Sequence, residues 1–157
     1  MMAALWQDAL DDVEAACVHY GEAIAMFEEP SFAPTGTPNY RDRMAFLHAM
    51  QSGYTSFEAA LRRLLAILDE PMPVGPEWHT ALVRRVARPL ASSRPAIIGP
   101  ELEVAVLELM RFRHVAMHSY ERFDTEKAGM AIRQARVFLE AINADIARFR
   151  AAIDPPG

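Results

Sequence analysis

The sequence predicts an all-α fold, an up-and-down four-helix bundle with one additional short helix. Apolar residues recur at intervals of three, four and seven, and no stretch alternates apolar and polar residues as a strand would. The prolines are clustered, and five helices are expected in the proline-free segments that the clusters leave. With 157 residues, of which 52% are hydrophobic, the chain can bury one substantial core. We therefore expect residues 1–157 to form a single domain.

The five helices are expected over residues 3–29, 38–69, 76–88, 100–119 and 125–152. The first carries Cys17, which cannot form an internal disulfide and is predicted to be a buried structural thiol. The second starts at Thr37-Pro38, where threonine can cap the helix. The third and fourth start at Gly75-Pro76-Glu77 and Gly99-Pro100-Glu101, with proline at the first helical position and an acid beside it. The fifth starts at Asp124-Thr125-Glu126, with an acidic first turn.

The second and fifth helices have clear apolar faces. In the second, a neighbouring row places two polar residues, Gln51 and Glu58, among apolar ones. This row either lines a cleft, or its polar members sit at the rim of the core and reach water. Three histidines, His19, His48 and His79, lack any supporting motif and are expected at the surface or its boundary.

Composition narrows the classes of function. The net charge of −5 argues against broad electrostatic coating of nucleic acid, so any such contact must be local. The apolar runs are too short to span a membrane, and no export signal is visible, which together with the single cysteine predicts a cytoplasmic protein. The densest basic run, containing Arg84, Arg85, Arg88 and Arg94, either guides an RNA or forms a solvated face.

The residues that carry chemistry lie at the end of the fourth helix. Arg113, His118 and Tyr120 are compressed into eight positions, with His114 directly after the arginine. Histidine moves protons near neutral pH, and arginine holds phosphoryl oxygens with paired hydrogen bonds. Residues five apart are offset by about 140° on a helix, so a second copy across a two-fold axis is a natural way to bring Arg113 and His118 to one groove.

The pattern of Arg113, four residues, His118, any residue and Tyr120 resembles the HepT toxins, members of the HEPN superfamily of helical ribonucleases. The motif match covers residues 107–124. The resemblance implies a HEPN-like homodimeric endoribonuclease that needs no metal or other cofactor and leaves a 2′,3′-cyclic phosphate. It also implies an antitoxin partner, a small MNT-type nucleotidyltransferase that transfers AMP to the motif tyrosine, here Tyr120. Arg113 and His118 would be catalytic, and His114 and Tyr120 would be auxiliary or RNA-binding.

Two features depart from the family pattern, and three alternatives remain open. His114 stands where asparagine is common, and residues 70–100 are longer and richer in proline than expected for these toxins. His114, His118 and Glu121 share a face on which a metal site is conceivable. Alternatively, Arg113 pairs with an acid such as Glu108 on its own or a neighbouring helix, and the histidines are solvated helix-end residues favoured by the helix dipole. A further possibility is a non-catalytic helical partner or nucleotide-binding subunit of a nucleotidyltransferase.

Overall fold

The computed structural model describes residues 2–118, 123–155 and 157, with Met117 described by its backbone only. Five α-helices make up most of this range, and a single 3₁₀ turn, Pro30–Phe32, follows the first of them. The helices are α1 (Met2–Phe27), α2 (Tyr40–Ile67), α3 (Trp78–Val86), α4 (Pro100–His118) and α5 (Thr125–Ile153). The described residues contain no β-strand, only an isolated bridge between Leu90 and Arg94. The predicted all-α class and the five helices are confirmed.

Helices α1, α2, α4 and α5 form a closed ring in which each packs against two others. Neighbours are antiparallel. Asp12 in the first half of α1 pairs with Arg63 near the end of α2 at 2.7 Å, and the backbone N–H of Gly99, before α4, donates to Asp145 late in α5 at 2.8 Å. The short α3 packs on the outside of this ring against α4. The structure is therefore an up-and-down four-helix bundle with one added helix. None of the described helices has the length and apolar character needed to cross a membrane.

Two helix starts differ from the prediction. Helix α2 is capped by Asn39, whose side chain accepts from the backbone N–H of Asp42 at 2.8 Å while Asp42 accepts in return from the Asn39 N–H. This reciprocal box moves the start past Thr37-Pro38. Helix α3 begins at Trp78, because Gly75 adopts a left-handed φ of 100° and starts a turn first. The starts at Pro100 and, with Asp124 as its cap, at Thr125 are confirmed.

Aromatic rings fill the bundle. In its middle, the ring of Phe138 from α5 meets Tyr20 of α1 and Phe57 of α2, each with ring centroids 5.0 Å apart. Tyr20 reaches this position because Gly53 of α2 has no side chain: a Cβ there would lie 2.8 Å from the Tyr20 ring. Toward the C-terminal end of α4, Phe46 is surrounded by four further rings, those of Phe27, Phe32, Phe112 and Phe123.

A buried arginine organises the proline-rich region around α3. Arg94 has only 1% of its side chain exposed and forms an ion pair with Glu70. Its guanidinium also donates to the backbone carbonyls of Arg85, Arg88 and Pro95. Arg94 therefore ties the segment after α2 to the loop after α3, and it is not part of a solvated or RNA-guiding face as the basic run suggested.

Candidate functional site

The end of α4 presents its charged residues on different sides of the helix. Phe112 packs against Phe46 in the core, with ring centroids 6.1 Å apart. The next residue, Arg113, is half-buried and faces α2, where its guanidinium carbon lies 5.5 Å from the centre of the Tyr54 ring. Its Nε is buried and has no hydrogen-bond partner among the described residues. An aromatic face therefore holds Arg113 where a carboxylate usually would.

A line of polar contacts runs outward from Tyr54 through Glu58 to His79. Its hydroxyl donates to Oε2 of Glu58 at 2.9 Å, and Nδ1 of His79 lies 2.5 Å from the same oxygen. Burial raises the pKa of Tyr54, the carboxylate of Glu58 raises it further, and the charge of Arg113 acts in the opposite direction. The hydroxyl of Tyr54 thus stays protonated and acts as a donor.

This geometry decides one of the alternatives for α2. Glu58 is 8% exposed and engaged by Tyr54 and His79, so it does not reach water from the rim of the core. Gln51, three residues before Tyr54, is half-buried. Glu58 therefore marks an interior contact between α2 and α3.

His114 and His118 lie together on an exposed side of α4. Their rings meet edge to face with centroids 4.5 Å apart, as expected for residues one turn apart. Over the described residues no hydrogen bond joins Arg113 to His118, in keeping with their angular offset. The predicted catalytic pair is thus split within one chain, with the arginine toward α2 and the histidine toward solvent. Tyr120 lies outside the described residues.

The alternative pairing of Arg113 with Glu108 is wrong. Glu108 forms its ion pair with Arg111, on an exposed side of α4, while Arg113 lies on Tyr54. For the metal alternative, His114 and His118 do share a side, but Glu121 falls outside the described range. Within that range no three His, Cys, Asp or Glu side chains are arranged to hold a metal ion.

Beside the motif, a shallow groove runs between α4 and α5. Val104, Val115 and Met130 are exposed along it by 57%, 36% and 53%. Positions 104, 108, 111 and 115 form one stripe of α4, so the ion pair of Arg111 and Glu108 lies between the two valines. This stripe, with a valine at each end and an ion pair in the middle, borders the side that carries His114 and His118.

A known protein family matches the part of the chain that contains this site. A family model described as HepT-like protein matches residues 45–153, which include most of α2 and all of α3, α4 and α5. The chain belongs to the HepT-like family. Its matched region contains Arg113, His114 and His118 as well as the line from Tyr54 to His79. No curated protein and no solved structure matches this HepT-like chain.

Two residues of the site were not singled out from the sequence as site residues. Tyr54 stood in the polar row of α2, and its spacing of four from Glu58 was a visible signal for a contact. His79 carried no such signal, because it reaches Glu58 from another helix. Its predicted place at the boundary is confirmed, with 35% of its side chain exposed, but it is also an ion-pair partner.

Proposed function

We propose that this HepT-like protein is a metal-independent endoribonuclease toxin that acts as a homodimer. One observation on the HepT-like helix α4 carries the proposal. Among the described residues no carboxylate pairs with the guanidinium of Arg113, which lies on the Tyr54 ring, and His118 is exposed at the same helix end. A phosphate-binding arginine must keep its donors available, and a proton-transferring histidine must reach the substrate.

The proposed reaction needs two proton transfers and one site of anion stabilisation. The ribose 2′-oxygen attacks the adjacent phosphorus and gives its proton to one His118. The bond from phosphorus to the 5′-oxygen breaks, and this oxygen takes a proton from His118 of the partner subunit. Arg113 stabilises the charge that grows on the phosphoryl oxygens between them. The products are a 2′,3′-cyclic phosphate and a free 5′-hydroxyl.

A second copy resolves the split between Arg113 and His118. Because the two side chains leave α4 in different directions, a two-fold axis beside α4 would set residues of both subunits around one groove. The exposed valines Val104 and Val115 lie on the side of α4 next to His118, so contact between two copies there would bring the two His118 side chains together across the axis. If this is the interface, Val104→Glu is expected to shift the protein from dimer to monomer in light scattering and to abolish cleavage. Val18→Glu, at a 56% exposed valine of α1, is the matched control and should stay dimeric and active.

Control of the toxin is proposed to act on Tyr120. A nucleotidyltransferase antitoxin would form a bond between the phenolic oxygen and the α-phosphorus of ATP, with release of pyrophosphate and of the phenolic proton. The added phosphate would repel the substrate backbone next to His118. Co-expression with the antitoxin should add the mass of one adenylyl group to wild type and nothing to Tyr120→Phe.

The decisive experiment is RNA cleavage by purified protein in EDTA, read together with growth arrest on expression. Wild type should cleave RNA and arrest growth, whereas Arg113→Ala and His118→Ala should lose at least about 10²-fold in rate. His48→Ala, at an exposed histidine of α2, is the matched control and should remain active. Absence of both cleavage and arrest with wild type would instead favour the non-catalytic partner or nucleotide-binding subunit.

A further inference from the structure

The contacts of Arg113 explain how its side chain is held in place while its N–H donors stay available for a substrate phosphate. A carboxylate would hold the guanidinium firmly, but it would also occupy the donors that a phosphate needs. The face of an aromatic ring attracts the cation through its quadrupole and leaves the N–H groups at the edge of the guanidinium unoccupied. Tyr54 provides such a face at 5.5 Å, and the Nε of Arg113 is closed off from water there.

The Tyr54 ring is in turn held in place by contacts that lead to the outside of the bundle. One carboxylate oxygen of Glu58 accepts from the Tyr54 hydroxyl at 2.9 Å and contacts Nδ1 of His79 at 2.5 Å. Hydrogen bonds to a charged group in a water-poor site are about twice as strong as neutral ones. The rotation and the lateral position of the Tyr54 ring therefore depend on Glu58, and the position of Glu58 depends on His79.

His79 is held by its own neighbours at the start of α3. Its ring stacks on Trp78 with centroids 3.6 Å apart, and Arg62 of α2 lies 5.7 Å from the centre of the Trp78 ring. The next residue, Thr80, contacts the sulfur of Met110, one turn before Arg113 in α4, at 3.9 Å. The first turn of α3 thus bridges α2 and α4 directly over the line that leads to Arg113.

We propose that Tyr54, Glu58 and His79 are positioning residues that orient Arg113 toward the substrate phosphate. Helix α3 contributes by holding His79 against Glu58. The proposal rests on the proposed ribonuclease function. It assigns a role to the long region between α2 and α4, which delivers His79 to Glu58. Because Arg113 is expected to act on charge that develops in the transition state, its misplacement should lower kcat more than it changes KM.

The first test measures exchange of the Arg113 Nε–H proton with water and requires no RNA. In arginine-labelled protein, the Nε–H signal that disappears in Arg113→Lys identifies this side chain in NMR spectra. Its proton should exchange slowly with water because Nε is buried. Glu58→Gln and His79→Ala should accelerate that exchange by at least about tenfold. Asp145→Asn, which neutralises a carboxylate of α5 as buried as Glu58 but at the other end of α4, should leave the rate unchanged.

The second test uses cleavage kinetics and a conservative rescue. His79→Ala should lower kcat about tenfold with KM within about twofold of wild type. His79→Gln keeps a side-chain donor for Glu58 and should recover most of the rate. Both changes remove the stacking of the His79 ring on Trp78, so a recovery in His79→Gln isolates the contact with Glu58. Tyr54→Leu, which removes the ring, should lose as much activity as Arg113→Ala.

The outcomes separate the two proposals. If wild type cleaves RNA but His79→Ala and Glu58→Gln match it in both kcat and Nε–H exchange, the positioning role is refuted and the ribonuclease remains. If wild type does not cleave RNA yet exchange responds as stated, the ribonuclease fails while the control of Arg113 by this line is supported. An equal acceleration of Nε–H exchange in Asp145→Asn would show that neutralising any buried carboxylate disturbs Arg113, and would also refute the proposal.

Discussion

Two identical substitutions, Gly21→Ala in α1 and Gly53→Ala in α2, are expected to change stability in opposite directions. Both glycines lie inside long helices, where alanine is favoured over glycine by about 0.5–1 kcal/mol. A Cβ at Gly21 meets nothing within 4 Å. A Cβ at Gly53 would lie 2.8–2.9 Å from three atoms of the Tyr20 ring, well inside ordinary contact of 3.4–4 Å.

The Tyr20 ring has little room to retreat, because its other contacts include Phe138 at 5.0 Å between centroids. Forcing extra volume into a packed core costs about 1–3 kcal/mol. Since the gain in helix propensity is common to both variants, the difference between their free energies of unfolding isolates this packing cost. We expect Gly21→Ala to be stabilised by about 0.5–1 kcal/mol, and Gly53→Ala to lie about 1–3 kcal/mol below it.

Urea unfolding followed by far-ultraviolet circular dichroism measures both values, with an unchanged m-value as the check that the denatured state is the same. In a Tyr20→Leu background, the penalty of Gly53→Ala should shrink, since the smaller side chain can move. If Gly53→Ala stabilises the protein as much as Gly21→Ala does, the close packing of Tyr20 against α2 is refuted.

Three further predictions concern other parts of the fold. Arg94→Met should lower the free energy of unfolding by about 3–5 kcal/mol in urea melts, because Glu70 keeps a largely buried charge without its partner. A loss below about 1 kcal/mol would contradict a stabilising role for the buried ion pair of Arg94 and Glu70. Asn39→Ala should cost about 1 kcal/mol in the same assay while Thr37→Ala costs little, and the reverse order would reject the capping box. Cys17 is half-buried and not fully buried as predicted, and this burial together with the Glu14 carboxylate raises the pKa of its thiol above the ordinary value. Iodoacetamide should therefore modify Cys17 at about pH 8 more slowly than in the unfolded chain, with the rate rising as the pH increases, and equal rates at that pH would contradict the raised pKa.

Local chemistry explains where prediction from the sequence succeeded. Pro100 and Asp124 mark helix starts through properties of one or two residues, and α4 and α5 begin where those signals stand. The same reasoning placed the start of α2 at Thr37-Pro38, but the helix is capped by Asn39, because backbone geometry decides which of the neighbouring polar residues becomes the cap. The sequence also placed Arg113, His114 and His118 on one helix end, since that depends only on spacing.

The sequence by itself determined the fold class, the five helices, and the angular separation of Arg113 from His118, because these follow from periodicity, proline exclusion and the helical repeat. Only the tertiary structure decided what surrounds each charge. Arg94 is buried in an ion pair with Glu70. Glu58 accepts a hydrogen bond from Tyr54 inside the bundle, and His79 contacts the same carboxylate from a separate helix. Such partners are distant in the chain and are brought together by helix packing, so no local pattern encodes them. The placement of Arg113 on Tyr54 belongs to this second class.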